Sequence, residues 1–201
     1  MSKPLDYLPL PASAEKELVA SLCRGDAESY RHLYERFAPR LTRILLRIFS
    51  DSQLARDAVQ ATFLVVFQKI NRFDGRSALL TWMTRVAINE AHALRRKNSR
   101  RPTATTLEEP ARNPEQQHGD RELQHKLHAL IAALPEEKRT ALLLFEIEGF
   151  SVQEIADITG EPRGTVLARL SRTRSELQKD LSGWLAEIPA ESERARGRDH
   201  V

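Results

Sequence analysis

The chain has 201 residues, 41% hydrophobic and 29% charged, enough for one large or two small packed domains. Its formal net charge is only +3, but basic residues cluster: from Arg85 to Arg101 six Arg or Lys stand against Glu90 alone. One cysteine, Cys23, excludes an internal disulfide framework. No apolar run is long enough to span a bilayer, and the opening MSKPLDYLPLPASAEKE lacks an Arg/Lys-led apolar signal region. The expected protein is soluble, cytoplasmic and all-α.

Residues Met1 to Ser13 hold three prolines and little periodicity, so 1–14 is expected to be a mobile lead-in. Glu15 to Arg24 reads as a first helix with Leu18, Val19 and Leu22 on one side, and Cys23 as a small buried hydrophobe. Gly25 ends it, and Asp26 can cap a second helix carrying Tyr30, Leu33, Tyr34, Phe37, Leu41, Ile44, Leu45 and Ile48 at helical spacing. Pro39 is expected to kink or break that helix. Asp51 and Ser52 can cap a third, running to about Ile70, with Val59, Phe63, Val66 and Ile70 as its core stripe. Asp57, Gln60, Gln68 and Lys69 lie off that stripe, on a solvated face or a docking surface.

Residues 72–77 form a loop, after which Ser77 can cap a fourth helix containing Leu79, Trp82, Met83, Val86, Ile88 and Leu94. Its Arg- and Lys-rich end complements the helix dipole. With Phe73 and Trp82 just upstream, the same cluster also suits unpaired bases, which are held by ring stacking and backbone neutralisation. From spacing alone, Trp82 fits a core role.

Residues 101–120 carry three prolines and no apolar stripe, and read as a linker between domains at 15–100 and 121–182, with 183–201 a charged tail. The second domain opens with a helix carrying Leu123, Leu127, Leu130 and Ile131, then one expected to bury Leu142, Leu143, Phe145 and Ile147. GFSVQEIADITGEPRGTVLARLSRTRSELQK follows. Ser151 and Glu154 form a capping box, Gly160 stops a short helix, and Pro162 suits the first turn of the next. Val166, Leu170 and Leu177 point inward, while Arg163, Arg169, Arg172, Arg174 and Lys179 make the second helix basic. Two short helices, the second basic, are the pattern of a helix-turn-helix entering a major groove. The alternative is a helical hairpin with a solvated basic face.

No Gly-rich phosphate loop, nucleophile elbow or Cys pair is present. His125 and His128 sit one turn apart, but no third metal ligand is placed beside them. No enzyme, cofactor, metal or small-molecule substrate is expected.

The blocks CRGDAESYRHLYERFAPRL, DAVQATFLVVFQKINRFDGRS, LLTWMTRVAIN and LPEEKRTALLLFEIEGFSVQEIADITGEPRGTVLARLSRTRSEL resemble, in order, the extracytoplasmic-function sigma factors of the sigma-70 family. The resemblance implies a region 2 bundle and a region 4 helix-turn-helix domain, joined by a linker. It implies binding to core RNA polymerase, through the largest-subunit clamp helices and the flap, and to promoter DNA. It further implies an anti-sigma factor that can hold the protein at the membrane away from the nucleoid. Asp57, Gln60 and Thr62 take the polymerase-contact role. Phe73, Trp82, Arg85, Asn89, Arg95 and Arg96 take the melted minus-ten element. Arg163, Thr165, Arg169, Arg172 and Arg174 take the duplex minus-thirty-five element. Strand opening then follows from differential binding. The chain departs from the family at Arg56 and Ala61, where acids are common, and at Leu167 and Ala168, where polar readers are common. A stand-alone helix-turn-helix regulator is the alternative function, though such proteins usually dimerise and no clear dimerisation helix is visible.

Overall fold

A computed structural model describes residues 10–98 and 118–187; the linker and both end segments lie largely outside this range. The described residues form eight α-helices: α1 Ala12–Cys23, α2 Ala27–Phe49, α3 Ser52–Lys69, α4 Leu79–Asn98, α5 His118–Ala133, α6 Glu136–Glu146, α7 Val152–Thr159 and α8 Arg163–Glu187. A 3₁₀ turn, Ile70–Arg72, follows α3.

Local chemistry sets most boundaries. The Asp26 carboxylate accepts from Ser29 N–H at 2.9 Å, and that of Asp51 from Leu54 N–H at 2.8 Å. Each satisfies an amide that the first helical turn leaves bare. Between α2 and α3, Ser50 adopts φ 53° to end the preceding helix.

Three expectations about the first domain need correction. The α2 helix runs unbroken through Pro39. Pro39 and Glu35 are both exposed, so the Glu35 carbonyl deprived of its helical partner faces water. The start of α4 is capped from a distance: Leu79 N–H donates to the Glu15 carboxylate of α1 at 3.0 Å, in place of the expected Ser77 cap. Cys23 is exposed rather than buried.

The first domain packs α2, α3 and α4 around Leu33, Leu41, Ile44, Leu45, Ile48, Val66, Leu79 and Met83, all at 1% exposure or less. Fully buried alanines at 55, 58, 87 and 91 let α3 and α4 approach closely along their length. In the second domain α6, α7 and α8 enclose Leu144, Ile155, Ile158, Val166 and Leu170. The α5 helix begins at His118, ahead of the boundary expected at 121. The α8 helix continues through Gly183, where a tail was expected, with the Lys126 ammonium 6.0 Å from the Trp184 ring.

The two domains pack together, and one contiguous apolar cluster extends from Leu22 to Leu170. The α2 helix meets α6 and α4 meets α7. At the first junction Arg40 (8% exposed) lies against Glu148 (5%). Its Nη2 donates to the Glu148 carbonyl at 3.2 Å, and its Nε lies 3.6 Å from the carboxylate, which also takes Arg47. Nearby, Arg139 Nε donates to the Ile48 carbonyl at 2.9 Å.

Candidate nucleic-acid interface

The helix-turn-helix has its expected parts. The Ser151 hydroxyl accepts from Glu154 N–H at 3.2 Å, and the Glu154 carboxylate accepts from Ser151 N–H at 2.8 Å, closing the capping box. Gly160 ends α7 at φ 72°. The Pro162 carbonyl takes Thr165 N–H at 2.9 Å, so Pro162 stands just before the first turn of α8. Along α8, Val166, Leu170, Thr173 and Leu177 are buried, while Arg163, Thr165, Leu167 and Arg172 face solvent. Two expected readers are engaged elsewhere. Arg169 is half-buried and forks onto both oxygens of Glu161, fixing the turn. Hydrogen bonds and charge from Arg169 hold the Glu161 carboxyl below its ordinary value despite partial burial. Arg174 donates to Glu146 at 2.7 Å and lies 4.9 Å from the Phe145 ring centroid.

The second candidate surface lies on α4 and the loop before it. Phe73 and Trp82 are half-buried, with ring centroids 5.4 Å apart and planes tilted by 48°. Trp82, Asn89 and Arg96 recur at seven-residue spacing, which places them on one stripe, and the latter two are exposed. Arg85 and Arg95 belong to a neighbouring stripe turned toward the second domain. Arg95 forks onto Glu136, and the Arg85 guanidinium lies 3.9 Å from where a Cβ on Gly160 would sit.

On α3, Gln60 is exposed, and Asp57 is half-exposed and accepts from Gln53 Nε2 at 2.8 Å. Thr62 does not belong with them. It is fully buried and its hydroxyl donates to the Ala58 carbonyl at 2.6 Å. Five residues along the helix from Asp57, it lies about 140° round the axis, on the packed side. The sequence reading also missed apolar members of this face. Leu64 and Phe67 are 61% and 63% exposed, and Tyr34, expected in the apolar stripe of α2, is instead 53% exposed. They join an aromatic patch across α2 and α3, with Tyr30–Phe67 and Tyr34–Phe63 centroids 4.9 and 4.8 Å apart. The available signal was their place off the Val59/Phe63/Val66/Ile70 stripe. A groove of about 450 Å³ opens between α5, α6 and α8, lined by Leu127, Ile131, Leu142, Ile147, Leu177 and Leu181, with Glu146 and Arg174 on its rim.

Burial, opposed by the Glu136 carboxylate and helped by Arg95 and Arg96, pushes the His92 imidazole below its ordinary value; its ring also packs edge-on to Phe49. Burial tends to raise the Glu136 carboxyl, but hydrogen bonds and charge from Arg95, with His92 and Arg139, bring it below the ordinary range. A His with a depressed folded value binds fewer protons than in the unfolded chain, so stability falls as pH drops below about 6.5. The Glu136 contribution is present above its unfolded value and is lost only in more acidic solution. Thermal melts at about pH 7.5 and 5.5 should show a larger acid-induced loss of Tm for the native chain than for His92→Gln.

The order of the parts, a helical bundle with an aromatic and basic helix followed by a helix-turn-helix, is that of a sigma-70 chain. The family model for Sigma-70 region 2 matches residues 33–101, and that for Sigma-70, region 4 matches residues 124–177. The RNA polymerase sigma-H factor of Pseudomonas aeruginosa is 31% identical over 191 residues, covering 89% of this chain and 99% of that protein. The ECF RNA polymerase sigma-E factor of Haemophilus influenzae is 31% identical over 180 residues, covering 83% and 95%. A sigma factor RpoE solved with the anti-sigma factor NepR, from Bartonella quintana, shares the fold with a TM-score of 0.62 at 24% identity. That match covers 78% of this chain and 98% of the solved one. The chain belongs to the sigma-70 family of RNA polymerase sigma factors, in its extracytoplasmic-function class. Among the described residues no helix is long and apolar enough to cross a membrane.

Proposed function

We propose that this sigma factor joins core RNA polymerase and directs initiation through two DNA-reading surfaces of different chemistry. The observation that carries this reading is their presence on separate domains. The α8 helix offers exposed Arg163, Thr165 and Arg172 for duplex recognition, whereas α4 and the loop before it offer the Phe73–Trp82 ring pair beside Asn89 and Arg96 for unpaired bases. A guanidinium suits a guanine edge or phosphate, and exposed Leu167 suits a thymine methyl, so the minus-thirty-five element is read by charge and shape together. Ring faces and Watson–Crick edges appear only once strands separate, so binding them favours the melted state without a catalytic group in this chain.

Core polymerase is bound through the α3 face, where Asp57 and Gln60 flank Leu64 and Phe67, and the polymerase flap occupies the apolar groove between α5, α6 and α8. Aromatic and apolar side chains rimmed by polar ones are the usual anchors of a protein interface. An anti-sigma factor covering these surfaces would hold the chain away from the nucleoid.

Size-exclusion chromatography with purified core RNA polymerase tests the assignment, and a stable complex carrying one copy of the chain is expected. Independent migration would refute it. Within that complex, Arg172→Ala should weaken binding to the cognate minus-thirty-five duplex by about 1–3 kcal/mol, read by fluorescence anisotropy. Unchanged affinity would move the reading face elsewhere on α8.

A further inference from the structure

Arg169 follows Thr165 by four residues and precedes Arg172 by three, which puts all three on one stripe of α8. Thr165 and Arg172 are exposed, yet the Arg169 side chain is only 17% exposed and donates to both oxygens of Glu161. Glu161 is itself held from both sides. Its N–H and that of Gly160 both donate to the Ala156 carbonyl, at 3.2 and 2.8 Å. Pro162 follows it, and the residue before a proline is confined to extended backbone. Glu137, on α6, reaches Arg169 only through its charge.

A guanidinium grips a carboxylate and a phosphate with the same two-pronged geometry. A DNA phosphate must therefore displace Glu161 before it can take Arg169. The carboxylate stands ready on a backbone fixed by the turn, so little conformational entropy is lost in keeping it there. Because the pair is largely shielded from water, salt screens it less than a contact on an open surface. Arg163 and Arg172, in contrast, lie exposed on the same helix. Phosphate contacts strengthen binding to every sequence, whereas base contacts discriminate between sequences.

We infer that Glu161 is an affinity-limiting residue of the DNA-binding site, holding Arg169 off the duplex backbone so that sequence-independent binding stays weak. The inference rests on the reading of α8 as the recognition helix. Non-specific binding of about 10⁻⁵ M from about eight phosphate contacts makes one contact worth roughly fourfold. A chromosome offers on the order of 10⁶ or more competing sites, so a fourfold reduction at each keeps more of the free chain available to polymerase. The effect has a diagnostic sign. Breaking a purely structural ion pair weakens DNA binding, whereas removing this carboxylate strengthens it.

The test uses the full chain and a pool of random-sequence duplexes of about 20 base pairs, with binding followed by fluorescence anisotropy between about 50 and 200 mM salt. E161Q should bind the pool about fourfold more tightly than the native chain, with a log–log salt slope steeper by about one. The gain should vanish in E161Q/R169Q. E28Q, which removes an exposed acid of the first domain, should leave the native values. An unchanged slope in E161Q, or a gain that persists in E161Q/R169Q, would overturn the inference. Should E161Q lower the Tm, it must still bind more tightly than E161Q/R169Q, which lacks the same carboxylate. Sequencing the bound fraction separates this inference from the reading beneath it. R172A should lose the sequence preference that the native chain selects, and E161Q should keep it. An R172A chain that still selects the native sequences would refute the recognition helix and the inference together. Lost preference in R172A with native affinity and slope in E161Q would refute the inference alone.

Discussion

Phe67→Asp lowers the affinity of the chain for core RNA polymerase by about 2–4 kcal/mol, roughly thirty- to a thousandfold. The side chain is 63% exposed on α3, near Leu64 and with its ring tilted against that of Tyr30, so it presents a large apolar surface with little role in the core. An aspartate there places a charge where the partner must exclude water, and the aromatic anchor is lost as well. Folding should change by no more than about 1 kcal/mol, the worth of one ring pair at the surface. Titration of labelled chain with core enzyme, together with thermal melts, separates the two effects. Thr62→Val supplies the contrast. Its hydroxyl is buried against the Ala58 carbonyl, so polymerase affinity should be unchanged. A weak effect at Phe67 with a strong one at Thr62 would reverse the assignment of the α3 face.

Leu144→Ala destabilises the protein by about 2–5 kcal/mol, the range for emptying a fully buried leucine site. Leu144 has no exposed surface, and its carbonyl receives Phe150 N–H at 2.9 Å where the chain turns from α6 toward α7. The cavity therefore opens beneath the helix-turn-helix, and a drop in Tm of about 5–20 °C should accompany loss of minus-thirty-five binding. Leu167→Ala, on the exposed side of α8, should shift stability by less than about 0.5 kcal/mol and act on DNA affinity alone. Equal destabilisation by the two would mean that α8 lies in a different register.

Features decided within a few residues were legible in the sequence. Asp26, Asp51 and the Ser151–Glu154 box end up as caps because an oxygen near a helix start meets bare amides whatever the rest of the fold does. The stripe of α8 and that of α2 from Leu33 onward, Tyr34 excepted, reappear as buried faces for the same reason. What escaped the reading depends on distant partners. Glu15 caps α4 across 64 residues, and Glu148 finds Arg40 across 108, distances over which local patterning is silent. The α8 helix outlasts Gly183 because α5 packs beside it and Lys126 reaches Trp184, a tertiary effect that overrides the intrinsic weakness of glycine in helices. Arg169 and Arg172 look equivalent on a list of cations, yet only the first finds Glu161 in the turn. The Thr62 error was avoidable, since helical angle alone puts it on the packed side. The Leu64 and Phe67 omission came from seeking a docking surface only among polar residues, although interface centres are usually apolar.

Whether the chain directs promoter-specific initiation is read from transcription with purified core RNA polymerase on a library of random promoter sequences. Transcripts are expected only when this chain is added. Their templates should share two elements, and the upstream element should be lost from the selection when Arg172→Ala replaces the native chain. A transcript profile unchanged by adding the chain would contradict a role in promoter-specific initiation.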